Sequence, residues 1–486
     1  MMTIPFRLRH RALLYIGCML ALLSGVMLGG CSSDNSEALP ALLATVPADA
    51  GGAATIRIEE ILKKSGCKFT SDGVKLSDNI RKMVDSLSNP FEKTMAALLI
   101  EGKGGVDQSG IVIFGASRTY LTGLLDDPEA FRACVEKTAG VTFEVSGENG
   151  IASPYAYVGN QFWVALTSTP DLMDLQRYHN LSENQSIVSR KGIEMLKAGK
   201  SEIAALIDLQ TALRGAGLSN NLPVAMATVF DSPSQIALEG KVKSEEFQMT
   251  ATILDNSGKP SKFLLPTTKI ETSGIAKMNT RANWVGAVSI SEDMVKKISS
   301  LLGPFGAQLL GPDSPLMQIQ GTCVVSEGVG GGPVVLLPTK STPTPALVSQ
   351  IGTLFGVSPT VEGNALWVNR GASMEGSLDC ASLADRFKGA VAGMVIDLGE
   401  VKGGSGKEKN GQVMDLMLMP ENNSLTLHLR IPFSFELLTG DIGSKFCFQI
   451  LDTFRNPCLW LGLSLFPSEI FRPGIDNYGD FRRHAK

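Results

Sequence analysis

Histidine is scarce in this chain, and that scarcity limits the chemistry the protein can perform. Of the four histidines in 486 residues, only His179, His428 and His484 lie beyond the first 30 residues. No two histidines and no two cysteines have the short spacing of a zinc site. We therefore expect no metal centre. His428 lies on an alternating strand pattern, where a polar residue on the wet face is the simpler interpretation.

Motifs for nucleophilic catalysis and nucleotide binding are also missing. The chain contains no Gly-x-Ser-x-Gly motif, which marks the nucleophile of many hydrolases. The glycine-rich segment 401–408 departs from a P-loop, because Val401 stands where a glycine is needed and Glu408 where a hydroxyl residue is needed. We interpret it as a flexible loop, and we expect no catalytic motif residues and no cofactor.

The chain has no strong excess of charge and only one long apolar run. Its 44 basic and 48 acidic residues give a net charge of −4, and the lysines and arginines are scattered. This pattern argues against a nucleic-acid partner, which needs a concentrated basic face. Beyond the N-terminus no stretch approaches the roughly 20 apolar residues of a membrane-spanning helix. The body of the protein is therefore expected to be globular.

The N-terminus has the three parts of an export signal. Arg7, Arg9 and Arg11 precede the uncharged apolar run 12–27, and Leu28-Gly29-Gly30-Cys31 follows. The last four residues resemble the lipobox of bacterial lipoproteins, which implies cleavage before Cys31 and attachment of lipid to its thiol. We predict a signal peptide at 1–30 and a bacterial envelope protein anchored to a membrane, the outer membrane by preference, through Cys31.

An uncleaved transmembrane anchor is the alternative, since the apolar run is near the lower length limit of about 17 residues for a bilayer span. Residues 31–46 are interpreted as a tether. Asp34 and Glu37 are too sparse to distinguish a surface-display signal from a solvated linker.

Six cysteines remain after Cys18 leaves with the signal and Cys31 is acylated. They lack the short spacings of a disulfide framework, so we expect buried free thiols, with disulfides as the alternative for an exported protein. The six are Cys67, Cys134, Cys323, Cys380, Cys447 and Cys458.

Three pairs of segments recur in the same order along the body, which predicts an internal duplication. In the first pair, each segment follows a strand and opens a helix whose acidic residues precede its lysines. The second pair is a hairpin around Gly-Asn, and the third is a strand that ends in Ile-Asp-Leu. The pairs are Ile58–Lys64 with Ser291–Lys297, Gly159–Val164 with Gly363–Val368, and Ile203–Leu209 with Ala392–Leu398.

These patterns predict an α+β fold of two related halves, with mainly antiparallel sheets and packed helices. The first half covers 47–260 and the second 281–432, with a linker that starts near Asn256 and runs to about residue 280. The aromatic-rich segment 433–486 lacks periodicity. It is either an extra packed element or an abnormal C-terminal extension, and we favour the second.

The order of features resembles a family of Bacteroides-type lipoproteins of unknown function. The matching markers are the lipobox, the Val46–Ala50 entry to the first strand, the acid-led helix starting at Asp127-Pro128, the hairpin and the Ile-Asp-Leu strand. The resemblance covers roughly residues 47–432 and leaves the tail out. It implies an envelope lipoprotein and supplies no catalytic residues.

Carboxylates at matching places in the two halves are the remaining candidates for catalysis. Glu59 and Glu60 correspond to Glu292 and Asp293, and Asp208 corresponds to Asp397. A hydrolase of envelope or dietary polymers would need two such groups facing one cleft. For the two aspartates, capping of a following helix is the favoured interpretation.

We therefore predict a non-enzymatic envelope protein that binds a partner protein, glycan or peptide, with the polymer hydrolase as the alternative. Trp163 and Trp367 occupy equivalent hairpin positions. Exposed there, they would stack on a ligand, whereas packing in the core is the favoured alternative.

Overall fold

The structure of the protein is a computed structural model that describes most of the body. It covers residues 38–432 except 71–72, 117, 167–168, 198–199, 216–221, 244–245, 279, 302–305, 307–309, 328–331, 371–375 and 398–412. The predicted signal peptide, Cys31 and the tail 433–486 lie outside the described residues.

The body is an α+β fold, as predicted. The strands are β1 (Gly52–Ile56), β2 (Lys68–Thr70), β3 (Gly73–Lys75), β4 (Val106–Gly115), β5 (Thr119–Leu125), β6 (Glu144–Ser146), β7 (Asn149–Ala152), β8 (Tyr155–Val158), β9 (Gln161–Ala165), β10 (Ile203–Asp208), β11 (Pro233–Val242), β12 (Glu246–Asp255), β13 (Arg281–Ala282), β14 (Trp284–Ile290), β15 (Gly321–Glu327), β16 (Val334–Pro338), β17 (Thr360–Val361), β18 (Ala365–Val368), β19 (Leu378–Asp379), β20 (Ala392–Asp397), β21 (Val413–Glu421) and β22 (Ser424–Pro432).

The helices pack on these strands and connect them. They are α1 (Ala38–Ala44), α2 (Ile58–Lys64), α3 (Asp78–Ser86), α4 (Pro90–Leu99), α5 (Pro128–Ala139), α6 (Leu172–His179), α7 (Glu194–Lys197), α8 (Leu209–Gly215), α9 (Leu222–Val229), α10 (Thr272–Ala276), α11 (Glu292–Leu301) and α12 (Pro345–Phe355). Short 3₁₀ helices lie at Glu183–Gln185, Ile187–Ser189, Pro315–Gln318 and Cys380–Phe387.

The chain divides into two compact units. The first ends at Leu265 and resumes at Val395, and the second spans Pro266–Met394. The predicted second half, 281–432, is therefore split, because its last hairpin, β21–β22, joins the sheet of the first unit through β12. A strand edge such as β12 presents unpaired N–H and C=O groups to whichever strand reaches it, and the local pattern of β22 does not specify that partner.

The sheet of the first unit is antiparallel throughout. Its strand order is β6, β7, β8, β9, β5, β4, β1, β10, β11, β12, β22, β21. Helices cover both faces of its central strands. One core contains Ile61, Leu98 and Phe131, and the core on the opposite face contains Leu42 and Phe114. Because both faces are covered, β8 and β9 are buried at every position instead of alternating.

The sheet of the second unit repeats the central part of this pattern. β14 pairs with β15, β15 with β16, β16 with β18, and β18 with β17, and β14 also pairs with β20. The Gly-Asn turns of both predicted hairpins are present, and the glycines have positive φ angles of 55° at Gly159 and 56° at Gly363. That conformation suits the first central residue of a two-residue hairpin turn.

Helices α5 and α12 begin and end with the same signals. Asp127 accepts hydrogen bonds from the backbone N–H groups of Glu129 and Ala130, both at 3.0 Å, and Thr344 caps α12. Each helix has proline at its first position and a left-handed glycine, Gly140 or Gly356, after its last. The acid-led helix predicted from Asp127 is therefore present.

The predicted tether, 31–46, is wrong in its second half. Ala38–Ala44 forms α1, and Leu39, Leu42 and Leu43 are buried. Their i, i+3, i+4 spacing places them on one helix face, and full burial of each stabilises the fold by about 1.5–3 kcal/mol. The backbone carbonyl of Val46 then accepts a hydrogen bond from Ile187 N–H. The body of the protein therefore starts by residue 38.

Candidate functional site

The two hairpin tryptophans lie in the core and not on the surface. Trp163 is 0 % exposed and meets Phe114 and Tyr120 edge-on, with ring centroids 6.0 and 6.1 Å away. Trp367 is 5 % exposed, and the Arg370 guanidinium lies 5.0 Å from its ring centroid. Neither indole offers a free face for stacking, so their burial agrees with the core interpretation.

The paired carboxylates at the helix starts are engaged by lysines. Glu59 lies 2.6 Å from Lys63, and Glu292 contacts Lys296 at 2.8 Å and Lys340 at 2.5 Å. Hydrogen bonds from these two lysines lower the pKa of Glu292 to about 2. Ionised and paired in this way, Glu292 lacks the raised pKa that a general acid requires.

Asp208 has the capping role favoured from the sequence. Its Oδ1 accepts a hydrogen bond of 2.8 Å from the N–H of Thr211, in the first turn of α8. Asp397 is 2 % exposed, and residues 398–412 after it lie outside the described part of the chain. Asp208 therefore caps a helix, and Asp397 lies buried at the end of its strand.

The described cysteines are free thiols, as expected. Cys67, Cys323 and Cys380 are buried and Cys134 is half-buried. Burial raises the pKa of Cys323 to about 12 and that of Cys380 to about 11. Such thiols stay protonated and are poor nucleophiles. Cys447 and Cys458 lie outside the described residues.

The two histidines in the described part of the chain make hydrogen bonds to neighbouring side chains. His179 Nδ1 lies 3.0 Å from Gln161 Oε1, and His428 Nε2 lies 2.9 Å from Glu421 Oε1. His428 is partly exposed on β22, consistent with a wet sheet face. Within the described ranges, no group of three or more His, Cys, Asp or Glu side chains could hold a metal ion.

An open groove in the first unit has the features of a small-molecule site, and we call it the polar groove. Its volume is about 640 Å³, within the roughly 300–1,000 Å³ typical of ligand sites. The floor is one face of β11 and β12, the first wall is segment 188–195, and the second wall is the turn after β12. The lining comprises residues 188–195, Ala237, Glu239, Thr250, Thr252, Leu254, Ser257, Gly258 and Pro260.

The register of β11 and β12 brings the floor residues together. Ala237 faces Thr252 and Glu239 faces Thr250 across the pair, so alternate residues of both strands share one face. At the rim the two walls meet through glycines. A Cβ on Gly258, whose φ is +79°, would lie 2.3 Å from the backbone nitrogen of Gly192. Only glycine permits this approach.

Arg190 connects the groove wall to the Val46–Ala50 motif. Its Nη2 donates hydrogen bonds of 2.8 and 2.6 Å to the carbonyl oxygens of Ala48 and Ala50. Burial lowers the pKa of Arg190, and Asp208 and Asp49 oppose that shift. In the described part of the chain, the Arg190 Nη1 atom is buried without a hydrogen-bond partner. The motif noticed in the sequence thus serves to position this wall.

A second depression of about 610 Å³ lies among α3, α4 and α5. Lys93, Lys103 and Lys137 line it together with Asp85 and Glu101, and Cys134 contributes to the lining. Lys103 and Glu101 form an ion pair of 3.0 Å. No sequence motif indicated either depression, because each is assembled from several separate helices, strands or loops that meet only in the folded chain.

Comparison with known proteins leaves the chain without an assigned family. No family model and no curated protein matches it. Among solved structures, crystal form I of TP0453 has 11 % identity and a TM-score of 0.27, covering 71 % of this chain and 95 % of that one. Crystal form III has 10 % identity and a TM-score of 0.26, covering 46 % and 80 %.

Crystal form IV of TP0453 has 14 % identity and a TM-score of 0.25, covering 45 % of this chain and 83 % of that one. TM-scores this low establish no common fold, so nothing is transferred from TP0453. Within the described residues, no helix is both long and apolar enough to cross a membrane.

Proposed function

We propose that this protein is a lipid-anchored component of a bacterial cell envelope, with a binding role and no catalysis of its own. The observation that carries the proposal is Leu28-Gly29-Gly30-Cys31 directly after an uncharged apolar run. We prefer the outer membrane as the site of attachment, and the resemblance to Bacteroides-type lipoproteins supports an envelope lipoprotein. Dual or triple acylation of the cysteine would give stable anchoring.

The position of α1 supports close attachment to the bilayer. Six residues, 32–37, lie between Cys31 and Ala38, where α1 begins, so the two residues are seven steps apart along the chain. A fully extended chain spans at most about 3.6 Å per residue, so this connection reaches about 25 Å or less. The first unit, which contains α1, is therefore held next to the membrane surface.

The proposal includes the predicted duplication, which the strand pairings support. β1 lies between β4 and β10, and β14 lies between β15 and β20. Helix α2 follows β1, as α11 follows β14, and each hairpin with a Gly-Asn turn supplies the next strand of its sheet. A duplicated scaffold with one modified copy suits a binding protein, because ligand contacts can change without altering the core.

Metabolic labelling with radioactive palmitate tests the anchor directly. A Cys31→Ala variant is expected to lose the label and to leave the membrane fraction. Cys134→Ala is the matched control, because that half-buried thiol lies far along the chain from the lipobox, and it should keep both. Label retained in Cys31→Ala would contradict the proposal. Loss of label with full membrane retention would indicate the uncleaved transmembrane anchor instead.

A further inference from the structure

One face of the first unit's sheet carries only apolar side chains and one glycine across the neighbouring strands β10, β11, β12, β22 and β21. The registers of these strands set the side chains in rows. This face lies opposite the floor of the polar groove, because alternate residues of a strand point to opposite sides. We call it the apolar face. Its rows are Ile207, Ile236 and Ile253; Ala205, Leu238, Ala251, Leu427 and Leu418; and Ile203, Gly240, Met249, Leu429 and Leu416.

The described part of the chain covers this face incompletely. Ile203, at one end, packs against the core that contains Ile61 and Phe131, and α8 contacts β10 and β11. Strands β8 and β9 of the same sheet are buried at every position, whereas six side chains of the apolar face remain partly exposed. A contiguous exposed apolar surface marks a place where another apolar element binds. The six are Ile207, Ile236, Leu238, Met249, Ile253 and Leu418.

Three segments longer than five residues lie outside the described ranges next to the elements of this face, and their sequences differ in how well they match it. Segment 216–221, between α8 and α9, has a single large apolar residue, Leu218. Segment 398–412, between β20 and β21, contains five charged residues. The tail 433–486, which follows β22, contains Cys458–Phe466, a run with four leucines, a tryptophan, a phenylalanine and no charge. Only the tail therefore carries an uncharged apolar run that matches the apolar face.

The tail is also attached in the right place and is long enough. It starts after Pro432, the last residue of β22, and β22 contributes Leu427 and Leu429 to the apolar face. The 25 residues 433–457 connect Pro432 to Cys458, and a fully extended chain of that length spans about 80 Å. Five neighbouring strands are only about 20 Å wide. The run can therefore reach any row of the face.

We propose that the tail run Cys458–Phe466 packs on the apolar face of its own chain. Removal of apolar surface from water drives this contact. Neither the run nor the face carries a charge, so the contact desolvates no charged group. The tail is then an extra packed element of the first unit, the first of the two interpretations that its sequence allows. The contact is independent of the lipid anchor at Cys31.

Disulfide trapping in the full chain tests the contact directly. Leu238→Cys places a thiol on the apolar face, and Cys458 supplies the second thiol at the start of the run. Oxidation by copper–phenanthroline is expected to join the two within one chain, as identified by peptide mass mapping without reduction. Thr250→Cys, on the opposite face of β12 and also partly exposed, is the matched control and should form at least about tenfold less of the bond. Met249→Cys is a second test position on the apolar face if Leu238→Cys does not fold.

A chain that ends at Pro432 should leave the apolar face open. Its thermal unfolding midpoint is expected to fall by about 5 °C, and a water-soluble maleimide should label the Leu238→Cys thiol at least about tenfold faster than in the full chain. Equal trapping at Thr250→Cys and Leu238→Cys, or an unchanged labelling rate after truncation, would overturn the proposal. Bonds between two chains instead of within one would also overturn it and would identify a second copy as the occupant. Palmitate labelling reports on the anchor separately.

Discussion

The first and second units share a sequence of elements but differ in what is inserted between them. Between α2 and β4 the first unit adds the β2–β3 hairpin, α3 and α4, and between α5 and β8 it adds β6 and β7. In the second unit, only residues 356–359 separate α12 from β17. The polar groove uses segment 188–195, and the lysine-lined depression uses α3 and α4. The lysine-lined depression is thus lined by α3 and α4, two of the elements that the first unit has between α2 and β4.

The difference extends to a buried polar cluster at the hairpin. Gln161 Nε2 donates hydrogen bonds to Thr45 Oγ1 at 3.0 Å and Thr122 Oγ1 at 2.8 Å, and its Oε1 faces His179 Nδ1. With the amide oriented this way, His179 must donate from Nδ1. The corresponding residue of the second unit is Ala365. In the first unit the hairpin residue Gln161 therefore makes a polar contact with Thr45, directly after α1. The alanine side chain at position 365 has no polar group to make such a contact.

The largest expected effect is a loss of stability on substitution of the hairpin tryptophans, and we expect the two losses to differ. Trp163→Ala should lower the free energy of unfolding by about 3–5 kcal/mol, the range for a large aromatic removed from a packed core. Trp367→Ala should cost less, because Arg370 already covers one face of the ring and can move into the space. Urea unfolding followed by circular dichroism measures both. An equal or larger loss for Trp367→Ala would show that the two hairpins are packed alike.

An intermediate effect is expected at Gln161. Gln161→Ala removes three hydrogen bonds made by a buried side chain and should cost about 2–3 kcal/mol, at roughly 1 kcal/mol for each bond. Gln161→Leu is the matched control, since it fills the space without restoring the bonds. If Gln161→Leu unfolds at the same urea concentration as the unaltered chain, packing and not hydrogen bonding matters at this position.

The smallest effect concerns Glu292, which pairs with both Lys296 and Lys340, whereas the matching Glu59 of the first unit pairs with Lys63. The pKa of Glu292 is about 2, so its contribution to stability is present above the ordinary value of 4.5 and is lost as pH falls towards 2. Glu292 is partly exposed, and salt should therefore shrink the lowering of its pKa. A carbon-detected NMR titration should find a midpoint near 2 that rises in Lys340→Met. An unchanged midpoint in that variant would show that Lys296 alone holds the carboxylate.

Short-range sequence patterns were sufficient to predict the strand–helix units, the Gly-Asn hairpins and the capped helix after Asp127. The residues that specify each of these elements lie within a few positions of one another. It was also sufficient to expect free thiols and a helix-capping Asp208. The α1 helix was missed although Leu39, Leu42 and Leu43 carry a helical spacing. Its seven residues are too few to be stable alone, and only the core of the first unit makes them helical.

The sequence by itself determined the α+β class, since it follows from composition and short-range periodicity, and the export signal with Cys31 stays a prediction from the sequence. Only the tertiary structure decided that β22 pairs with β12 and that both hairpin tryptophans are buried. It also decided that Arg190, Glu239 and Thr250 line the same groove. Those outcomes join residues tens to hundreds of positions apart. Their energies come from packing and desolvation in the folded chain, to which no local pattern corresponds.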